Sequence, residues 1–229
     1  MKTVFITGAS SGIGKACVNL FHEKGYSVVL FARDAKKLEQ AAAGFKNTLI
    51  VQGDVTNEDD IKNAVTETLK KFKTVDVLVN NAGMGIFKPV EQLSKKEFNE
   101  QFQVNVTGTF LCTKHVLPIM RKQDSGQIIN VASMAGLSGF PSGSAYCATK
   151  WAVLGFTESL KSEVRDSKIK VAAVLPGSVD TPFFDLAGMM PNKERLLKAE
   201  DVAAQILAIA EQGAHSDIDR VVIRPGYTP

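Results

Sequence analysis

KTVFITGASSGIG, residues 2–14, opens as a β-rich apolar run and closes on three glycines. Ile13, Cys17, Leu20 and Phe21 then recur at helical spacing and Gly25 supplies a stop, so the stretch reads as strand, tight turn and helix. Gly8, Gly12 and Gly14 fall at the turn itself. Glycines there let backbone amides approach a pyrophosphate, while the helix directs its positive end at the same group. Ser10, Ser11 and Ile13 share the loop and join the glycines as candidate contacts to a dinucleotide. The spacing departs from the GxGxxG fingerprint, and a reading as turn glycines alone stays open.

The same alternation runs outward along the chain. KTVFIT, SVVLFA, NTLIVQ, VDVLVN, GQIINVAS, KIKVAAVL and DRVVIRP are seven candidate strands. Helical patterns fall between them at 12–24, 34–44, 57–72, 94–122, 143–166 and 199–212. Apolar strands separated by helices predict an α/β, doubly wound, parallel sheet covered on both faces, formed as a single domain over residues 1–229. In such a sheet ligands bind beyond the carboxyl ends of the strands. PFFDLAGMMPNKERLL, residues 182–197, breaks the alternation and is expected to form a short substrate lid, with Phe183, Phe184, Leu186, Met189 and Met190 lining an apolar pocket.

Composition narrows the function. With 229 residues, 45% apolar and 22% charged, the chain is an ordinary globular protein. A net charge of +3, with Lys and Arg interspersed among Asp and Glu, argues against a nucleic-acid partner and for a small molecule. No apolar run approaches the ~20 residues of a membrane span, and the amino terminus lacks a signal-peptide pattern, so a cytoplasmic location is expected. Cys17, Cys112 and Cys147 form no CxxC pair, which argues against a disulfide framework and a structural zinc site. No metal is expected.

Further candidates follow the later strands. An NAD site carries an acidic residue about 20 positions beyond the glycines. In VVLFARD, Ala32 falls at that position and Arg33 follows, where a guanidinium suits a 2′-phosphate; this reading predicts NADP(H). The other register makes Asp34 a ribose acceptor and predicts NAD(H). In QGDVTN, Asp54 and Val55 are candidates for the adenine, or Asp54 is a turn residue. In VNNAG, Asn81, Ala82 and Gly83 can close over a ribose. Finally, YCATK places Tyr146 and Lys150 four apart on one helix face.

TGASSGIG, NNAG, VNVTG, a serine 13 residues before YxxxK, and PGSVDTP occur in an order that resembles the short-chain dehydrogenase/reductase family across essentially the whole chain. The resemblance implies a Rossmann-type fold, a nicotinamide cofactor and carbonyl–alcohol interconversion by Asn105, Ser133, Tyr146 and Lys150. Tyr146 would move the proton, Ser133 would orient the substrate oxygen, and Lys150 would lower the tyrosine pKa and contact the ribose. Asn105 would hold a relay water. Pro176, Gly177, Val179 and Thr181 in PGSVDTP would bind the carboxamide end, with transfer of the pro-S hydride. Homodimers or homotetramers paired through 94–122 and 143–166 are implied as well. Alternatives are an NAD-preferring alcohol dehydrogenase, a 3-oxoacyl-thioester reductase, set back by the ending DRVVIRPGYTP, and a non-catalytic dinucleotide-binding regulator.

Overall fold

A computed structural model describes residues 1–186 and 196–226. Seven strands form one sheet: β1 Thr3–Thr7, β2 Ser27–Ala32, β3 Thr48–Gln52, β4 Val77–Asn80, β5 Gly126–Val131, β6 Ile169–Pro176 and β7 Arg220–Ile223. Their order is β3-β2-β1-β4-β5-β6-β7, and every neighbouring pair is parallel. The doubly wound sheet expected from the alternation is therefore the observed one.

Successive side chains of a strand point to opposite faces, and the core divides accordingly. Val4 and Ile6 of β1 join Val28, Leu30, Val77 and Val79 against α1 (Gly12–Glu23) and α8 (Ala199–Ala210). Phe5 joins Val29, Phe31 and Leu78 on the other face, beneath α3 (Glu58–Phe72), α5 (Gly108–Gln123) and α6 (Ser144–Glu163). Full burial holds for the central strands only. The edge strands β3 and β7 each have a neighbour on one side, and Ile50 and Val222 are exposed.

Side-chain caps set several helix starts. Asp34 accepts from Lys37 N ahead of α2 (Ala35–Ala41), Asn57 accepts from Asp59 N ahead of α3, and Ser94 forms a capping box with Glu97 at α4 (Lys95–Phe102). The helix expected over 94–122 is interrupted. A π-helical segment, Gln103–Thr107, separates α4 from α5 and carries Asn105. One extra residue in a turn leaves the apolar spacing nearly intact, so periodicity did not register it; such bulges recur at functional sites.

Of the expected lid, Pro182–Leu186 forms a short helix α7, and Met189 and Met190 lie outside the described residues. No helix among the described residues is long and apolar enough to cross a membrane.

Candidate active site

The winding reverses between β1 and β4, and the ends of these strands are tied together. Asn81 Nδ2 donates to the carbonyls of Thr7 and Gly8 at 3.0 and 3.3 Å. Thr7 Oγ1 in turn accepts from the amides of Asn81 and Ala82, each at 3.0 Å. Expected beside a ribose, Asn81 thus spends its side-chain amide on the strand ends. Thr7, which went unread in the sequence, is buried at the centre of this knot.

Gly8 leaves β1 at φ 64°, a conformation that disfavours other residues, and a Cβ there would meet Ala82 Cα at 2.9 Å. Gly14 is needed for proximity instead: a Cβ would lie 2.6 Å from Asn81 Nδ2 and press on the Gly8 carbonyl. These contacts bring the first turn of α1 against the switch point. That turn contains no acidic residue, and its N-cap Ser11 makes no side-chain cap bond. Its amides and positive end are therefore suited to an anion.

A cleft of about 1380 Å³ extends from this turn in both directions. At one end Arg33 is 78% exposed, with Nη1 4.0 Å from Asp54 Oδ2. Asp34 is occupied as the α2 cap, with Lys37 N 3.1 Å from its Oδ1. Asp54 Oδ1 accepts from both Thr56 N and Thr56 Oγ1 at 2.9 Å, the turn role that was the alternative to adenine recognition. Val55 is buried against α5: a Cβ on Gly108 would meet its Cγ2 at 2.8 Å.

At the other end, Ser133 stands two residues beyond β5, where it caps a 3-10 turn by accepting from Ala135 N at 3.1 Å. Tyr146 and Lys150 project from the first turns of α6 into the same cleft. Lys150 is only 6% exposed. Its Nζ donates to the Val131 carbonyl at 3.0 Å and lies 5.6 Å from the Tyr146 ring centroid.

Burial sets both pKa values. The Lys150 ammonium is pushed down to about 8 and the Tyr146 phenol up to about 12, although the Ser133 hydroxyl pulls the phenol the other way. The lysine serves a carbonyl and sits over the ring, and loss of water dominates.

Asn105 joins three segments. Its Oδ1 accepts from Met84 N at 2.8 Å, and its Nδ2 donates to Met84 O and Thr149 Oγ1, both at 2.9 Å. Thr149 passes the connection on, donating to Tyr146 O at 2.7 Å. No motif flagged this threonine, because x positions in YxxxK carry no signal.

The loop after β6 completes the wall. Gly177 N donates to Ile223 O at 2.8 Å, and Val179 bridges Leu197. Thr181 lies across the glycine turn, where a Cβ on Gly12 would meet its Cγ2 at 3.0 Å. A pyrophosphate-sized anion at α1, flanked by charged groups at one end and by Tyr146 and Lys150 at the other, matches the donor set of a dinucleotide site.

The family model of short chain dehydrogenases matches residues 2–190. The chain belongs to the short-chain dehydrogenase family. Its match to an uncharacterized oxidoreductase of Staphylococcus saprophyticus is 37% identical and covers 98% of this chain and 96% of that protein. Among solved structures, a 3-ketoacyl-(acyl-carrier-protein) reductase from Brucella melitensis complexed with NADH superimposes with a TM-score of 0.93 at 32% identity, covering 98% of this chain and 97% of that one. An alcohol dehydrogenase from the archaeon Thermococcus sibiricus, complexed with 5-hydroxy-NADP, gives 0.91 at 29% identity over 100% and 98%. This short-chain dehydrogenase is accordingly an oxidoreductase with a nicotinamide-dinucleotide cleft. Its similar structures include both phosphorylated and unphosphorylated cofactors.

Proposed function

We propose that the protein is an NADP(H)-dependent oxidoreductase that interconverts a carbonyl compound and a secondary alcohol, with Tyr146 as the acid–base group. One observation carries this reading: Ser133, Tyr146 and Lys150 converge on one cleft, at the carboxyl ends of the strands. Bound cofactor supplies or accepts the hydride.

The phenol, pushed up to about 12, holds its proton near neutrality and is poised to give it to an oxygen on which negative charge grows. Ser133, which lines the same cleft, orients the same oxygen. Lys150 is fixed by Val131 and offers its remaining donors to the ribose hydroxyls. Asn105 keeps the Met84 loop and α6 in register and, with Lys150, borders the space at Gly83: a Cβ there would lie 3.4 Å from Asn105 Oδ1 and 3.7 Å from Lys150 Nζ. That space is the proposed place of a relay water. Gly8, Ser10, Ser11, Gly12, Ile13 and Gly14 would hold the pyrophosphate, and Pro176, Gly177, Val179 and Thr181 the carboxamide.

The preference for NADP(H) is supported by three basic side chains, Arg33, Lys36 and Lys37, around the end of β2, together with the use of Asp34 as a helix cap. Exposed Phe110 on α5 and Trp151 on α6, at 44% and 55%, support pairing of copies through these helices, which light scattering would detect. The test of the reading is oxidation of NADPH by the purified protein with a panel of carbonyl compounds, followed at the reduced-nicotinamide absorbance band. Turnover with at least one carbonyl is expected. Cofactor binding without turnover of any carbonyl would favour a binding-only regulator instead.

A further inference from the structure

The catalytic end of the cleft is walled by rings. Phe87 meets Tyr146 edge to face at 5.4 Å, and Phe183 lies 5.6 Å from Tyr146 and 6.1 Å from Phe87. Phe140 closes the group at 5.6 Å from Phe87. These rings come from three separate segments: the loop after β4, the loop before α6, and α7.

Phe87 is held firmly for a loop residue. On either side of it, Met84 N donates to Asn105 Oδ1 at 2.8 Å, Ile86 N to the buried Gln101 Oε1 at 3.1 Å, and Lys88 N to Ser142 O at 2.9 Å. Gly85 makes room for two of the rings, since a Cβ there would come within 2.7 Å of Phe183 Cζ and 2.8 Å of Phe87 Cζ. The backbone on both sides of Phe87 is thus anchored, and its ring packs against Phe140, Tyr146 and Phe183.

Charge is distributed unevenly along the cleft. Among the described lining residues, Arg33, Asp34, Lys36, Lys37 and Asp54 all lie beyond β2 and β3, and Lys150 is the single charged residue at the catalytic end. Lys88, next to Phe87, is bound to Glu97 at 2.5 Å, and this pairing holds the Glu97 carboxyl down at about 2.

Resting on the oxidoreductase reading above, we propose that the substrate is a carbonyl compound, or its alcohol, bearing a flat aromatic ring next to the reacting carbon. Phe87 is its specificity-determining residue. The ring of the substrate packs against Phe87 and Phe183 and so delivers the oxygen to Tyr146 and Ser133. Aromatic pairs favour edge-to-face and offset contacts, which a saturated ring does not reproduce.

The experiment compares kcat/KM with NADPH for acetophenone and cyclohexyl methyl ketone. Acetophenone is expected to exceed the saturated ketone by roughly tenfold or more, the scale of one or two lost aromatic contacts. Phe87→Ala should erase the preference over the saturated ketone, chiefly through KM, and Phe87→Leu, which keeps apolar bulk and guards against misfolding, should erase most of it. NADPH fluorescence titration should be the same for both variants. Equal or better turnover of cyclohexyl methyl ketone, or an undiminished preference in Phe87→Leu, would overturn the inference while leaving the oxidoreductase reading standing. Failure to reduce any ketone while NADPH binds would remove that reading and this one together.

Discussion

Where β1, β2 and β3 end, the cleft is made of backbone and of charged side chains close to solvent; where β4, β5 and β6 end, it is made of buried polar groups and rings. Gly8 and Gly14 at the first end are dictated by close backbone approach, and Arg33 stands largely in water. At the second end Lys150 is 6% exposed and Asn105 1%, and each depends on partners from other elements. Recognition of a diffusible anion works with mobile surface charge and fixed amides. Proton transfer needs groups whose hydration has been replaced by the protein, and that replacement is what moves Tyr146 and Lys150 from their ordinary pKa values.

If the two ends divide the labour in this way, substitutions should separate binding from chemistry. The largest effect is expected from Tyr146→Phe, which keeps the ring and removes the proton: kcat should fall by about 10²–10⁴, the usual contribution of a general acid, with NADPH affinity unchanged. Persistence of near wild-type turnover would end the assignment.

Next comes Lys150→Met, read through stability. The lysine has a folded pKa of about 8, below its ordinary 10.5, so between these values the unfolded chain holds more protons and wild-type stability rises with pH. The wild type should therefore gain roughly 3 kcal/mol relative to Lys150→Met across that window in urea titrations, at 1.36 kcal/mol per pH unit. Tyr146 acts in the opposite sense and only at higher pH, since its pKa moves from 10 to about 12. A flat difference between the two proteins would mean that Lys150 is not desolvated.

Arg33→Ala should reverse the pattern of Tyr146→Phe. Loss of a charge-assisted contact, typically ~1.5–3 kcal/mol, should raise KM for NADPH by about 10–100-fold, with kcat and KM for NADH little changed. Equal losses with both cofactors would point to general steering by charge instead of a 2′-phosphate contact. The smallest effect belongs to Gly14→Ala, where the added methyl presses on Gly8 and Asn81; overpacking of this kind costs ~1–3 kcal/mol, visible as a lower urea midpoint.

Legibility differed between the two ends in the same physical way. The glycine turn could be read because glycine at a strand-to-helix junction answers a local demand for space. Tyr146 and Lys150 could be read because helix geometry puts i and i+4 on one face and the order of motifs around them resembles a known family. Asp34 and Asp54 each admit two readings in the sequence, and the fold adds what spacing cannot: Asp34 Oδ1 caps α2 and Asp54 Oδ1 accepts from Thr56, while both residues line the cleft. The π-helical turn at Gln103–Thr107, the Thr7 knot and the Asn105–Thr149 link were not legible, because each joins residues distant in sequence or differs from a regular helix by a single residue.

By itself the amino-acid sequence determined the doubly wound sheet, since strand and helix periods alternate in local windows, and it determined the residue types at the strand ends. Tertiary structure alone decided which of those residues lose their water. Burial pushes the Tyr146 phenol up, and the aromatic wall around it exists only because three separate segments meet. Desolvation is a property of everything that surrounds a group, and no stretch of chain carries it alone.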